Sequence, residues 1–237
     1  SGTTLLHNLL SRDPQFGYCT TYHTVFPHLM LRSDGVVKSL AERLMPSSRP
    51  TDHLALSLFQ PQEEEFAIAN MTHAAYYHFW IFPQKMAHYR EKYLLFDSCS
   101  PQELAEFRSA TLRVMQTALY CQGKGRFLSK NPPHTARIPT LLQMFPDAKF
   151  IYIYRDTDEV IRSTKRFFCQ TLDALSLQNI SNVQLNHEIV TTYHAVINRY
   201  EQTKTMIAPE NLCEISFREL SAHPTKSVEH IYRQLKL

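Results

Sequence analysis

Apolar positions in this chain alternate between short aromatic or β-branched runs and longer stretches of helical periodicity. The clearest pairing lies at 149–168, KFIYIYRDTDEVIRSTKRFF. Phe150–Tyr154 is an unbroken run of the type that forms a strand buried on both faces. Asp156, Thr157 and Asp158 then offer helix-capping oxygens, and Val160, Ile161, Thr164 and Phe168 recur at helical spacing. A strand therefore runs into a helix, with Arg155 at the strand's carboxyl end.

The same reading extends along the chain. Leu5, Leu6, Leu9 and Leu10 form a helical stripe behind Ser1-Gly2-Thr3-Thr4. Residues 18–25 suit a short strand and loop. Residues 27–44 are helical in parts, with a break at Ser33-Asp34-Gly35, and the proline- and serine-rich stretch 45–52 is a loop. Glu63, Glu64 and Glu65 follow Pro61 as the first turn of a helix carrying Phe66, Ile68 and Ala69. The aromatic stretch 74–82 contains the only tryptophan, Trp80, and suits core packing. A long amphipathic helix is expected over Pro101–Gln122, with Leu104, Phe107, Ala110, Leu112, Met115 and Leu119 inward, closed by Gly123-Lys124-Gly125. A short strand at 126–129, a helix at 135–145, a helix at 183–207, a strand at 211–217 and a helix at Pro224–Leu235 complete the series. Strands alternating with helices predict an α/β fold: a parallel sheet with helices on both faces. We expect a single domain over 1–237, starting inside a strand–loop–helix unit whose strand lies upstream.

Composition narrows the functional classes. The net charge of +3 is too mild for a large nucleic-acid footprint. Five cysteines, scattered and without a CxxC, favour reduced thiols and a cytoplasmic setting. No apolar run approaches the roughly 18 residues of a membrane helix. The chain begins at Ser1 rather than Met, which leaves an upstream signal or anchor open.

Three stations suit an anion. An arginine fork at Arg155 and the Ser163 hydroxyl, eight positions on, would grip one anion from two sides. The helix start at Ser1–Thr4 offers amides and hydroxyls, for simple capping or for a phosphate-like group. Lys130 follows the short strand at 126–129. In a parallel sheet all three would converge on the edge formed by strand carboxyl ends, where such folds bind ligands. The glutamates at 63–65 serve the helix dipole or supply a general base, and His134 caps the next helix or acts as a base.

The order of these stations resembles the PAPS-dependent sulfotransferase superfamily, and is most similar to its broad bacterial-type branch. Members carry a phosphosulfate loop ending in S-G-T-T and a strand–R–x7–S–helix signature. Ser1–Thr4 and Arg155 with Ser163 match both, and the segments 128–156 and 215–235 are similar to the family pattern almost throughout. The resemblance implies a three-layer P-loop-type fold with a central parallel sheet, and PAPS as co-substrate without a metal. Ser1, Gly2, Thr3 and Thr4 would cradle the 5′ phosphosulfate, and Arg155 and Ser163 would hold the 3′-phosphate. Lys130 would stabilise the charge that builds on the bridging oxygen. Cytosolic members place a histidine base two positions after this lysine, where this chain has Pro132. The base is therefore expected at Glu65 or Glu63 ahead of Glu64, with His134 as the second candidate. The acceptor, a small molecule, glycan or lipid, and the oligomeric state are not written in the sequence. Two other functions compete. A P-loop kinase or NTPase would need a lysine where Thr3 stands, and a non-catalytic nucleotide-binding member would bind without turnover.

Overall fold

Among the described residues, four short strands pair in parallel and set the direction of the segments that follow them. The computed structural model describes residues 2–32 and 58–237. Strand β1 (Phe16–Gly17) pairs with β2 (Arg126–Phe127). Strand β3 (Phe150–Tyr154) pairs over its whole length with β4 (Leu212–Ser216), from Phe150 opposite Leu212 to Tyr154 opposite Ser216. The helices are α1 (Gly2–Leu10), α2 (Thr21–Val25), α3 (Glu64–Ala69), α4 (Met86–Tyr89), α5 (Pro101–Gln122), α6 (Ile138–Met144), α7 (Thr157–Leu175), α8 (Asn182–Thr203), α9 (Phe217–Ala222) and α10 (Pro224–Leu235). None of the described helices is long and apolar enough to cross a membrane.

The β3–β4 pair is the middle of three layers. Ile151, Ile153, Cys213 and Ile215 pack against Leu6 and Leu10 of α1 and against Leu220, Ile231 and Leu235 of α9 and α10. On the other face, Phe150, Tyr152 and Leu212 meet Ile138 of α6 and Tyr200 of α8. Tyr152 stacks on Tyr200 with ring centroids 3.9 Å apart. β3 is half-buried rather than fully buried as expected. Both its faces are covered, but among the described residues only one edge has a strand partner, β4.

A second core lies beside this layer. Tyr76, Tyr77, Phe79 and Trp80 pack against Phe107 and Val114 of α5 and against Leu185 and Ile189 of α8. The stretch 74–82 is therefore core. Helix α5 begins and ends where its sequence dictates. Ser100 and Glu103 form a reciprocal capping box, and Gly123 closes the helix in the left-handed region at φ 62°. Its buried side includes Thr111, Val114 and Ala118, while Leu104, Leu112 and Leu119 are half-buried. All five cysteines are unpaired.

Two local expectations are corrected. The strand placed at 18–25 is instead β1 at Phe16–Gly17 followed by α2, because Thr20 and His23 form a capping box that starts a helix at Thr21. The helix expected at 135–145 is split into a 3-10 turn at Pro132–Ala136 and α6 at Ile138–Met144. Three prolines set that break, since none can donate a backbone hydrogen bond and each is tolerated only in a first turn. The 3-10 turn Pro27–Arg32 begins the region read as partly helical. The remainder of that region, including the break at 33–35, and the loop at 45–52 lie outside the described residues, as does Ser1.

Gly123→Ala should cost about 1–2 kcal/mol, because an L side chain pays that much at positive φ. Thermal unfolding should show it as a loss of a few degrees, with the fold intact by circular dichroism.

Candidate active site

Three of the four described strands deliver a segment of the site at their carboxyl ends. β2 leads through Leu128 and Ser129 to Lys130, β3 ends at Arg155, and β4 runs directly into α9 at Phe217. Helix α1 joins two of these ends. At its start, Gly2 lies against Phe217: a Cβ built there would stand 2.4 Å from the ring. The Arg155 guanidinium sits over the same ring, 4.7 Å from its centroid. One turn along α1, the buried His7 ring lies beside the backbone of Leu128. Burial, with Lys130 adding to it, lowers the His7 pKa to about 4 despite the opposing pull of Glu64. His7 is therefore a neutral strut between the helix start and the approach to Lys130.

Glu63, Glu64 and Glu65 diverge because they occupy the cap and first turn of α3. Glu63 takes the N-cap position, and its side chain keeps 15% exposure. It forms an ion pair with Lys130 through Oε1, and Tyr77 donates its hydroxyl to Oε2. Glu64 is fully buried. It accepts from the Ser129 hydroxyl and, at 3.3 Å, from the Lys130 backbone N–H. His134 Nε2 lies 3.2 Å from Glu64 Oε1, close enough for charge contact but poorly aligned for a hydrogen bond. Burial pushes the Glu64 carboxyl upward, but His134 and Ser129 outweigh it and hold the pKa below the usual value.

Glu65 has no capacity left for an outside proton. The Arg137 fork binds it in parallel at 2.7 and 2.9 Å, Asn131 donates to it at 2.8 Å and the Tyr76 N–H at 3.1 Å. Burial opposes its charge, yet Arg137 and Asn131 keep its pKa below the ordinary 4.5. Arg137 is itself enclosed. It donates to the Tyr93 carbonyl at 2.5 Å and lies over the rings of Phe107 at 4.6 Å and Phe96 at 5.1 Å. Glu65, preferred from sequence as a base, is thus the anchor that roots α3 under the site.

The remaining expected residues are partly assembled. Arg155 pairs with Glu159 at 2.7 Å, one turn into α7, rather than with Asp156 or Asp158. Asp156 instead caps α7 through the Glu159 N–H. The exposed Ser163 hydroxyl donates to the Val160 carbonyl at 3.0 Å, within its own helix. Thr3 and Thr4 are half-buried in the first turn of α1. Lys130 is no solvated loop residue, since its side chain is 12% exposed and held by Glu63. His134 does not cap α6; its ring turns to Glu64. Arg137, Asn131, Tyr77 and His7 were missed as contributors. Arg137 alone carried a signal: an arginine between Ala136 and Ile138 in a buried run demands a carboxylate partner. Among the described residues, no cluster of His, Cys, Asp and Glu is arranged to hold a metal ion.

Comparison with known proteins gives a consistent picture. The model of the sulfotransferase family matches residues 1–237. Two curated relatives, both omega-hydroxy-beta-dihydromenaquinone-9 sulfotransferase Stf3, from Mycobacterium bovis and Mycobacterium tuberculosis, are 30% identical over 237 residues. The match takes in 100% of this chain and 60% of each relative, so the chain spans well under two thirds of their length. Sulfotransferase STF9 from Mycobacterium avium superposes with a TM-score of 0.75 at 18% identity, covering 99% of this chain and 61% of that one. Sulfotransferase STF1 from Mycobacterium tuberculosis H37Rv gives 0.69 at 17% identity, covering 100% and 64%. The likeness to these two structures establishes the α/β P-loop-type fold.

Glu65→Gln should destabilise the protein by about 3–5 kcal/mol, because it strands a buried guanidinium. Since the folded Glu65 titrates below its unfolded value of 4.5, its contribution is complete above that pH and fades as pH falls through the lower folded value. The gap in melting temperature between wild type and Glu65→Gln should therefore narrow as the pH is taken below 4.5. A gap that stays constant into acid would refute the ion-pair account.

Proposed function

Because the chain belongs to the sulfotransferase family, we propose that it transfers a sulfuryl group from PAPS to the terminal hydroxyl of an apolar, lipid-type acceptor. The observation that carries this reading is the pairing of Glu63 with Lys130 at the end of β2. Helix α1 links this pair to the other stations: His7 feels the charges of Glu64 and Lys130, and the helix start meets Phe217, over which Arg155 lies. The acceptor class is suggested by the relatives' name, which gives omega-hydroxy-beta-dihydromenaquinone-9 as their substrate. Five unpaired cysteines suit a reducing compartment, and we infer a cytoplasmic site of reaction.

The residues fit the two ends of such a donor. Amides at the start of α1 favour the 5′ phosphosulfate, and Gly2 allows the close approach of Phe217 that keeps this end narrow. Arg155 and Ser163 would take the 3′-phosphate once Arg155 exchanges Glu159 for the ligand. In the transfer, the acceptor oxygen attacks sulfur while its proton passes to the Glu63 carboxylate. The bond from sulfur to the 5′-phosphate oxygen breaks, leaving a sulfate ester and adenosine 3′,5′-bisphosphate. Lys130 meets the charge that develops on the leaving oxygen, where a fixed cation lowers the barrier most. Glu64 holds Lys130 in place by binding both its backbone N–H and the Ser129 hydroxyl. Of the candidate bases, Glu63 is the one we assign, since Glu64 and Glu65 are fully buried and committed to other partners.

Calorimetric titration with adenosine 3′,5′-bisphosphate tests the cofactor, with ATP as the control that a kinase or NTPase would prefer. Arg155→Ala should weaken the bisphosphate roughly 10- to 100-fold, the cost of a charge-assisted contact, without loss of melting temperature. Unchanged affinity in a folded variant, or a preference for ATP, would refute the assignment. Glu63→Gln should retain the nucleotide and lower turnover of radiolabelled PAPS by about 10²- to 10⁴-fold. Wild-type turnover in that variant would remove Glu63 from the mechanism.

A further inference from the structure

Tyr77 belongs to the aromatic stretch whose evident role is packing. It lies in the 3-10 turn Tyr76–Trp80 and is 8% exposed. Its ring meets Phe66 at 4.8 Å and Phe79 at 6.0 Å, both edge-on. Packing needs only the ring, which a phenylalanine would supply equally well. The hydroxyl instead reaches out of the core to Glu63 Oε2, while Lys130 holds the other oxygen. Burial first, and then the Glu63 charge, push the phenol pKa well above 10, so this oxygen stays protonated and donates.

This arrangement poses a conflict that the reaction must resolve. The cation needed by the leaving oxygen is the one that holds Glu63. A single ammonium cannot neutralise both at full strength, so Lys130 must give up part of its pairing when the donor is bound. A glutamate released at that moment would regain rotamer freedom just when its aim matters. Building on the function proposed above, we propose that Tyr77 is the positioning residue for Glu63. It pins Oε2 from a rigid ring-packed turn, and Oε1, vacated by Lys130, receives the acceptor's proton. The two carboxylate oxygens thus have different duties, one anchoring and one accepting.

The test is a double-mutant cycle between Tyr77→Phe and Glu63→Ala, measured with radiolabelled PAPS and farnesol in detergent micelles as the acceptor probe. Tyr77→Phe alone should leave bisphosphate affinity and donor KM unchanged and lower kcat roughly 10- to 100-fold, the scale of one hydrogen bond to a charged group. Added to Glu63→Ala, the same change should lower kcat by less than about twofold, because nothing remains to be positioned. Equal losses in both backgrounds would mark a role in packing alone and overturn the proposal. Unchanged kcat, or failure of Tyr77→Phe to fold, would overturn it too. Wild-type protein that binds no bisphosphate would instead overturn the function on which the site rests, a result visible before any cycle is run.

Discussion

The buried pair between Glu65 and Arg137 is the constraint on which the site geometry depends. Two charges withdrawn from water need close compensation, and here the guanidinium finds a carboxylate, a carbonyl and two ring faces, with only its Nε left without a hydrogen bond. Because both partners are locked, the first turn of α3 has a single orientation. Glu64 then faces Ser129 and the backbone of Lys130, and Glu63 faces the Lys130 side chain. Three identical residues in succession acquire three roles because Glu63 sits in the extended cap while the helical turn separates Glu64 from Glu65 by about 100°. The deepest supports the fold, the second fixes the lysine backbone, and the outermost remains within reach of a ligand.

Much of this was legible from residue order. The strand Phe150–Tyr154, the long helix Pro101–Gln122 and the final helix Pro224–Leu235 stand at their expected limits, because each is bounded by strong local chemistry: a capping aspartate, a capping box with a C-terminal glycine, a leading proline. Where local signals compete, the expectation failed. Residues 18–25 carry aromatic and β-branched side chains that suit a strand, yet the Thr20–His23 box starts a helix there. Propensity lost to a specific hydrogen-bonded motif.

The site was legible as a set of residue types and less so as a division of labour. That Lys130 and a glutamate from 63–65 would serve one site was implied by the family resemblance, not by any local pattern. Which glutamate meets it depends on Arg137, a residue 72 positions away from Glu65 in sequence, and no local pattern encodes that contact. Tyr77 was hidden for the opposite reason. Its ring satisfies the aromatic core so fully that nothing in the sequence sets its hydroxyl apart from its neighbours.

Phe217, first residue of α9, touches both Gly2 and Arg155. The helix start and the arginine thus both pack on one aromatic ring. A rigid ring of this kind couples two places that are far apart in sequence, because neither can shift without disturbing the same hydrophobic side chain. Substitution at Phe217 would therefore disturb the start of α1 and the Arg155 side chain together. A hydrophobic residue would in this way transmit a change at one strand end to a helix that the sequence places more than 200 positions away.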